Sequence, residues 1–230
     1  PHHPTTPRRQ RQMCIRDSIN GATDWVYEEE FSIHKGFEWS PDGKKLAYYV
    51  FDETDVKEFQ MKMYGSLYPT HYKFKYPKAG EDNSLISIRI FDTQYDRHFV
   101  FDVGNNPDIY IPRIMWSKRR DELIVFKMNR LQNKLELLSG TFSMDTPNNF
   151  GIKTKPIYAE KCTTYIDIHD NTSFINENEF IWTSEKDGFN HIYLINYANG
   201  TEKQLTSGDW DVTEVYGYAS QSKKIYFQAA

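Results

Sequence analysis

Four times along the chain an aromatic residue is followed, seven positions later, by an aliphatic residue that opens an apolar run. A polar stretch separates the two each time. Trp39-Ser-Pro-Asp-Gly-Lys-Lys-Leu46 is the clearest instance, and Trp116 to Leu123, Phe174 to Ile181 and Tyr218 to Ile225 repeat the frame. In the first, Pro41 presets φ and Gly43 accepts a positive φ, so the middle reads as a turn between two strands. Residues 87–91 (SIRIF) alternate polar and apolar, as a half-buried strand does. Further strands are expected at 98–103, 135–142, 191–196 and 223–228. Short strands at this spacing, with turn signals between them, indicate an all-β sandwich, barrel or propeller. The anchors lie 77, 58 and 44 residues apart, and the last interval is close to the ~40–45 residues of a four-stranded propeller blade. The expectation is a partial β-propeller of about four blades, with insertions in the earlier ones. Four is fewer than a comfortable closed ring, so a piece of a larger ring is expected.

One insertion stands out. Residues 52–80 read DETDVKEFQMKMYGSLYPTHYKFKYPKAG, rich in Tyr, Met and Lys, with Pro69 and Pro77. Its exposed aromatics and methionines would suit a contact surface; folding back over its own blade is the other reading. The opening stretch PHHPTTPRRQRQMCIRDS has no periodicity, and its residue usage changes abruptly at Ile19. Residues 1–18 are therefore expected to be a non-native or disordered segment, and 19–230 the partial propeller.

Composition narrows the function classes. Aromatic residues make up 16% of the chain, which suits pleated, half-buried surfaces. The net charge of -4 argues against a nucleic-acid binder, which would carry a basic face. No apolar run approaches the ~20 residues a helix needs to span a bilayer. Cys14 and Cys162 are the two cysteines, too few for a disulfide framework, and Cys162 is expected to be buried or half-buried. The histidines show no metal-ligand spacing, so no metal and no cofactor are expected.

The most unusual stretch is Asp24-Trp-Val-Tyr-Glu-Glu-Glu-Phe31. Thr23 or Asp24 can cap a short helix here, which makes a short acidic helix part of the expected fold. One reading is that the acids decorate the start of that helix, where its dipole favours them. The other is a cation trap. Two adjacent, rigidly held carboxylates accept bonds from an ammonium group, at ~1.5–3 kcal/mol for each charge-assisted bond. A peptide's free amino terminus suits such a trap.

The run Trp25-Val-Tyr-Glu-Glu-Glu, followed by Trp39-Ser-Pro-Asp-Gly and Leu46-Ala-Tyr, closely resembles the propeller of the dipeptidyl peptidase IV family. Tyr76-Pro-Lys-Ala-Gly80 and Arg130-Leu-Gln-Asn133 add to the likeness in the same order, and Ser184-Glu-Lys-Asp-Gly-Phe-Asn-His-Ile-Tyr193 looks like the bacterial branch. The resemblance covers residues 19 to 230. It implies an eight-bladed parent propeller joined to an α/β-hydrolase domain, in a serine peptidase that removes Xaa-Pro or Xaa-Ala dipeptides from peptide amino termini. It further implies that Glu29 and Glu30 hold the substrate amine, with Glu28, Tyr27 and Phe31 as neighbours. The insertion resembles the family's dimerisation arm, which singles out Phe59, Met61, Met63 and Tyr64 as contacts in a homodimer. A periplasmic or cell-surface location is implied by the family alone. The expected partners are peptides with a free amino terminus and the hydrolase domain of the same chain.

No Gly-x-Ser-x-Gly nucleophile elbow occurs in these residues, so this stretch by itself is expected to be inactive. The arginine that in the family lies upstream of the glutamates is also absent from it. Two alternatives stay open: a non-enzymatic propeller that serves as an interaction module, and a sister peptidase that releases tripeptides.

Overall fold

The computed structural model describes residues 17–119, 122–146 and 149–230. Residues 1–16, most of the stretch expected to be foreign, and Arg120 of the second hairpin loop lie outside the described residues. The chain divides into two compact units with the boundary at Pro112/Arg113, and each is built from antiparallel sheets.

The first unit is one blade carrying an insertion. β1 (Ser18–Asn20) and β2 (Phe37–Trp39) both pair with β3 (Lys45–Asp52), which pairs in turn with β6 (Leu85–Asp92), and β6 with β7 (Arg97–Val100). Trp39 lies directly opposite Leu46, so the seven-residue frame is a hairpin register. The fold starts slightly before the expected boundary at Ile19. Ser18 is opposite Asp52, and Asp17 forms an ion pair with Lys75 at 3.2 Å. Alternation along β3 buries Ala47, Tyr49 and Phe51, which share the core with Ile88, Ile90, Phe101 and Ile111. Inserted between β3 and β6 is a separate two-stranded arm, β4 (Glu58–Met63) with β5 (Thr70–Lys75).

The second unit holds two complete four-stranded meanders and a hairpin. The first meander runs in the order β11 (Asn149–Lys161), β10 (Lys134–Thr146), β9 (Glu122–Asn129), β8 (Ile109–Trp116), the last strand carrying the boundary between the units. The second orders β12 (Ser173–Phe174), β13 (Glu179–Ser184), β14 (His191–Asn196) and β15 (Thr201–Gln204). The hairpin is β16 (Val212–Ala219) with β17 (Lys224–Ala229). The central strands are covered on both faces, so Leu123, Ile124, Val125 and Phe126 form a continuous buried run in place of an alternating one. Phe126 meets Trp182 of the next sheet at 5.9 Å between ring centroids. Val212 of the hairpin joins Ile181 and Ile192 in one cluster.

The repeat holds in three of its four places. Tyr218 faces Ile225 as Trp39 faces Leu46. Ser117 N–H donates to Glu122 O with the same offset as Ser40 N–H to Lys45 O. The third hairpin is one residue tighter, and Phe174 faces Phe180 instead of Ile181. Cys162 is exposed, contrary to expectation. It follows the last residue of β11, the edge strand of its sheet.

Candidate functional site

The acidic stretch forms a single short helix, α1 (Trp25–Glu29), on an excursion between β1 and β2. Asp24 caps it: its Oδ1 accepts from the Tyr27 N–H at 2.9 Å, satisfying one of the donors a helix start leaves open. Its Oδ2 accepts from the Ser84 hydroxyl at 2.5 Å, which ties the cap to the chain just ahead of β6. Burial raises the Asp24 pKa, and the Ser84 and Tyr27 donors pull it back. Thr23 donates its hydroxyl to Ile33 O at 3.0 Å, closing the excursion behind the helix. Ser32 turns the chain through a left-handed conformation, φ 53°, just beyond the helix end.

Tyr27 roots the helix. Its ring is buried among Phe31, Tyr49, Phe51 and Tyr110 at centroid distances of 4.8–6.3 Å. Its hydroxyl accepts from the Ile111 N–H at 2.9 Å. Burial pushes its ionisation well above the ordinary tyrosine range. Phe31 is buried beside it. These two expected neighbours therefore form the floor under the glutamates, and neither offers a surface to a ligand.

The three glutamates separate by position. Glu28 lies in the first turn and is half-buried, while Glu29 ends the helix, Glu30 is its C-cap, and both are exposed. Of the three, Glu28 alone lies in the first turn, at the start of the helix. Glu29 and Glu30 stand at the carbonyl end, where the dipole is negative and adds to their repulsion. Together they present two adjacent exposed carboxylates on one short helix. The Glu30 N–H donates to Val26 O at 2.8 Å, which holds the backbone of the pair in helical geometry.

The arm does not fold back along its length. Met61, Met63 and Tyr64 are exposed, as are Leu67 and Tyr68 at its tip, which is 98% exposed at Leu67. Phe59 differs from the other three contact candidates. It is half-buried against Phe74 and Tyr76 of the arm itself, with the Lys78 ammonium 5.6 Å from its ring centre. It lies at the root of the hairpin, where the strands are close enough to the body to be covered. Two further residues belong here, of which sequence reasoning passed over Ser84. Trp25, on α1, meets Tyr76 edge-on at 4.3 Å, and Ser84 holds the cap. Both partners are distant in sequence, and no local pattern announces them.

Antiparallel four-stranded meanders, with an acidic helix interrupting one edge and a long hairpin arm, form a partial β-propeller. The chain belongs to the dipeptidyl peptidase IV N-terminal region family, whose pattern it matches over residues 11–230. Solved structures agree. A dipeptidyl peptidase 4 from Porphyromonas gingivalis is 38% identical with a TM-score of 0.83, covering 94% of this chain and 30% of its own. A putative dipeptidyl aminopeptidase IV from Bacteroides ovatus is 26% identical with a TM-score of 0.78, covering 94% and 32%. Among curated relatives, dipeptidyl peptidase 4 of Arthroderma otae is 28% identical over 92% of this chain. Prolyl endopeptidase FAP of Bos taurus is 30% identical over 89%. The chain spans 28% of the length of each of these two relatives.

Proposed function

We propose that this region belongs to a serine-type dipeptidyl peptidase and supplies the carboxylate pair, Glu29 and Glu30, that holds the free ammonium of a peptide substrate. The observation that carries the reading is the placement of both carboxylates, exposed and adjacent, at the carbonyl end of a helix fixed by Asp24 and Tyr27. A rigid pair fixes where the amine sits. The scissile carbonyl, two residues along, is then held at a set distance, and binding energy is used for positioning. The substrates are peptides with Pro or Ala in second position. The nucleophile comes from an α/β-hydrolase domain of the same chain, so residues 1–230 alone are inactive. The arm's exposed Met61, Met63 and Tyr64 make contact with a second copy, and the protein works in the periplasm or at the cell surface.

The test is turnover of a Gly-Pro chromogenic substrate by the full-length protein, with its amine free or acetylated. Free-amine substrate is expected to turn over and acetylated substrate not. Glu29→Ala and Glu30→Ala are each expected to lower kcat/KM by ~10–100-fold, the loss of one charge-assisted interaction. Full activity in both variants overturns the assignment.

A further inference from the structure

The arm and the glutamate helix are joined by one contact between rings. In a two-stranded ribbon, side chains two apart share a face. On β4 that places Phe59, Met61 and Met63 together. Across from them stand Phe74, opposite Phe59, and Tyr72, opposite Met61, with Tyr76 continuing the row beyond β5. Ring contacts run down this face from Tyr72 to Phe74 at 5.5 Å, from Phe74 to Phe59 at 5.8 Å, and from Phe59 to Tyr76 at 5.5 Å. Tyr76 ends the row on Trp25, at 4.3 Å and 66° between planes. One apolar face thus extends from the exposed Met61 and Met63 to the first residue of α1.

The root of that face is fixed on its polar side as well. The Tyr76 N–H donates to Lys57 O at 3.0 Å, and the Lys75 ammonium donates to Val56 O at 2.9 Å while pairing with Asp17. Tyr76 is therefore a firm seat for the indole. Trp25 and Glu29 are four residues apart on one helix, and positions i and i+4 lie on the same side. Tyr27 holds the opposite, buried side. The Asp24 cap and Tyr27 hold the helix from beneath, and the Trp25–Tyr76 contact adds a hold on the exposed side that Trp25 shares with Glu29.

We propose that Trp25 is a positioning residue for Glu29, and that the arm sets the amine site through Tyr76. The proposal rests on the reading that Glu29 binds the substrate amine. Coverage of the arm's apolar face by a partner bears on the same row of rings, so it reaches the glutamates without touching them.

The experiment is steady-state kinetics of the full-length protein on the free-amine Gly-Pro substrate, for Trp25→Ala, Trp25→Phe, Tyr76→Ala, the Trp25→Ala/Tyr76→Ala double variant and Glu29→Gln. An edge-on aromatic pair is worth a factor of about 3–10. KM is expected to rise by about that factor in Trp25→Ala and in Tyr76→Ala, because displacement of the carboxylate weakens its hold on the substrate amine. Trp25→Phe retains a ring and is expected to stay near wild type. The double variant is expected to be no worse than either single one, since both remove the same contact. If Glu29→Gln raises KM while Trp25→Ala and Tyr76→Ala do not, the positioning role is overturned and the amine site stands. If Glu29→Gln itself has no effect, the amine-site reading fails first. Additive losses in the double variant also overturn the proposal. Should Trp25→Ala fold poorly by its thermal midpoint, Tyr76→Ala and Trp25→Phe decide the question.

Discussion

Tyr27 shows how much one side chain can be asked to do. Its ring fills the core beneath α1, its hydroxyl satisfies the backbone N–H of Ile111, and its own N–H receives the Asp24 cap. Tyr27→Phe retains the ring and removes one oxygen, which strands a buried donor. The expected cost is ~1–3 kcal/mol of unfolding free energy, read from urea titration, with little change in the slope of the titration. An unchanged midpoint would show that Ile111 finds another acceptor. The Asp24 cap was legible in the sequence, because capping is local chemistry. The partners of Trp25 and Ser84 were not, because Tyr76 and Asp24 are brought near only by the closed blade.

Among the elements, hairpins were the most legible. The anchor-to-aliphatic frame is a register, and Trp39 opposite Leu46 and Tyr218 opposite Ile225 are its direct expression. The pairing of β3 with β6 across the inserted arm left no such trace, since nothing in either strand names the other. The arm's root also holds a titrating group. Glu53 is half-buried, and burial, then the negative charge of Asp24, push its pKa up from 4.5 to about 7, against the pull of Lys75. A carboxyl whose folded value is raised favours folding while protonated. Its contribution is fully present below pH 4.5 and is lost as pH rises through 7. Glu53→Gln, which stays neutral, is expected to raise the thermal midpoint at pH 8 more than at pH 5. Equal shifts at both pH values would count against the raised pKa.

For the molecule as a whole, buried polar networks hold the second unit's sheets in register. Glu122 is fully buried and accepts from the hydroxyls of Ser117, Ser139 and Tyr197 at 2.6–2.9 Å, joining β9 and β10 to the turn that follows β14. Glu160 accepts in the same way from Trp182, Ser184 and Tyr158. Composition identified these acids only as charge, because a carboxylate's burial depends on which hydroxyls the fold brings to it. His169 is one acid-sensitive point of this unit. Its Nε2 donates to Thr183 O at 2.7 Å, its ring stands edge-on to Trp182, and its Nδ1 is buried without a partner among the described residues. Burial lowers its pKa below 6.5, outweighing Glu160, Asp170 and Asp167, which pull it up. The unfolded chain therefore takes up the proton first. Stability is complete above pH 6.5 and falls as the medium is acidified below it. The thermal midpoint is expected to drop between pH 7 and pH 5, by less in His169→Gln than in wild type. An equal drop in both would assign the acid sensitivity to other groups.

β1 and β2 lie end to end along one edge of β3, and between them the chain leaves the sheet and returns. Tyr49 sits at the gap. Its carbonyl accepts from the Gly21 N–H and its N–H donates to Gly36 O, both at 2.9 Å. The two ends of the excursion are pinched so closely that a Cβ on Gly36 would fall 2.7 Å from the backbone of Ala22. The ladder of β3 thus closes behind residues 22–35, while Tyr27, Phe31 and Ile33 of the excursion are buried in the core. The segment that carries the glutamates is a cassette with a fixed socket. Substitutions at its exposed positions, such as Glu29, Glu30, His34 and Lys35, change the surface it presents and leave the host strand's ladder as it was. A surface mounted in this way can change at its exposed positions at little cost to the architecture that carries it, provided its buried root is kept.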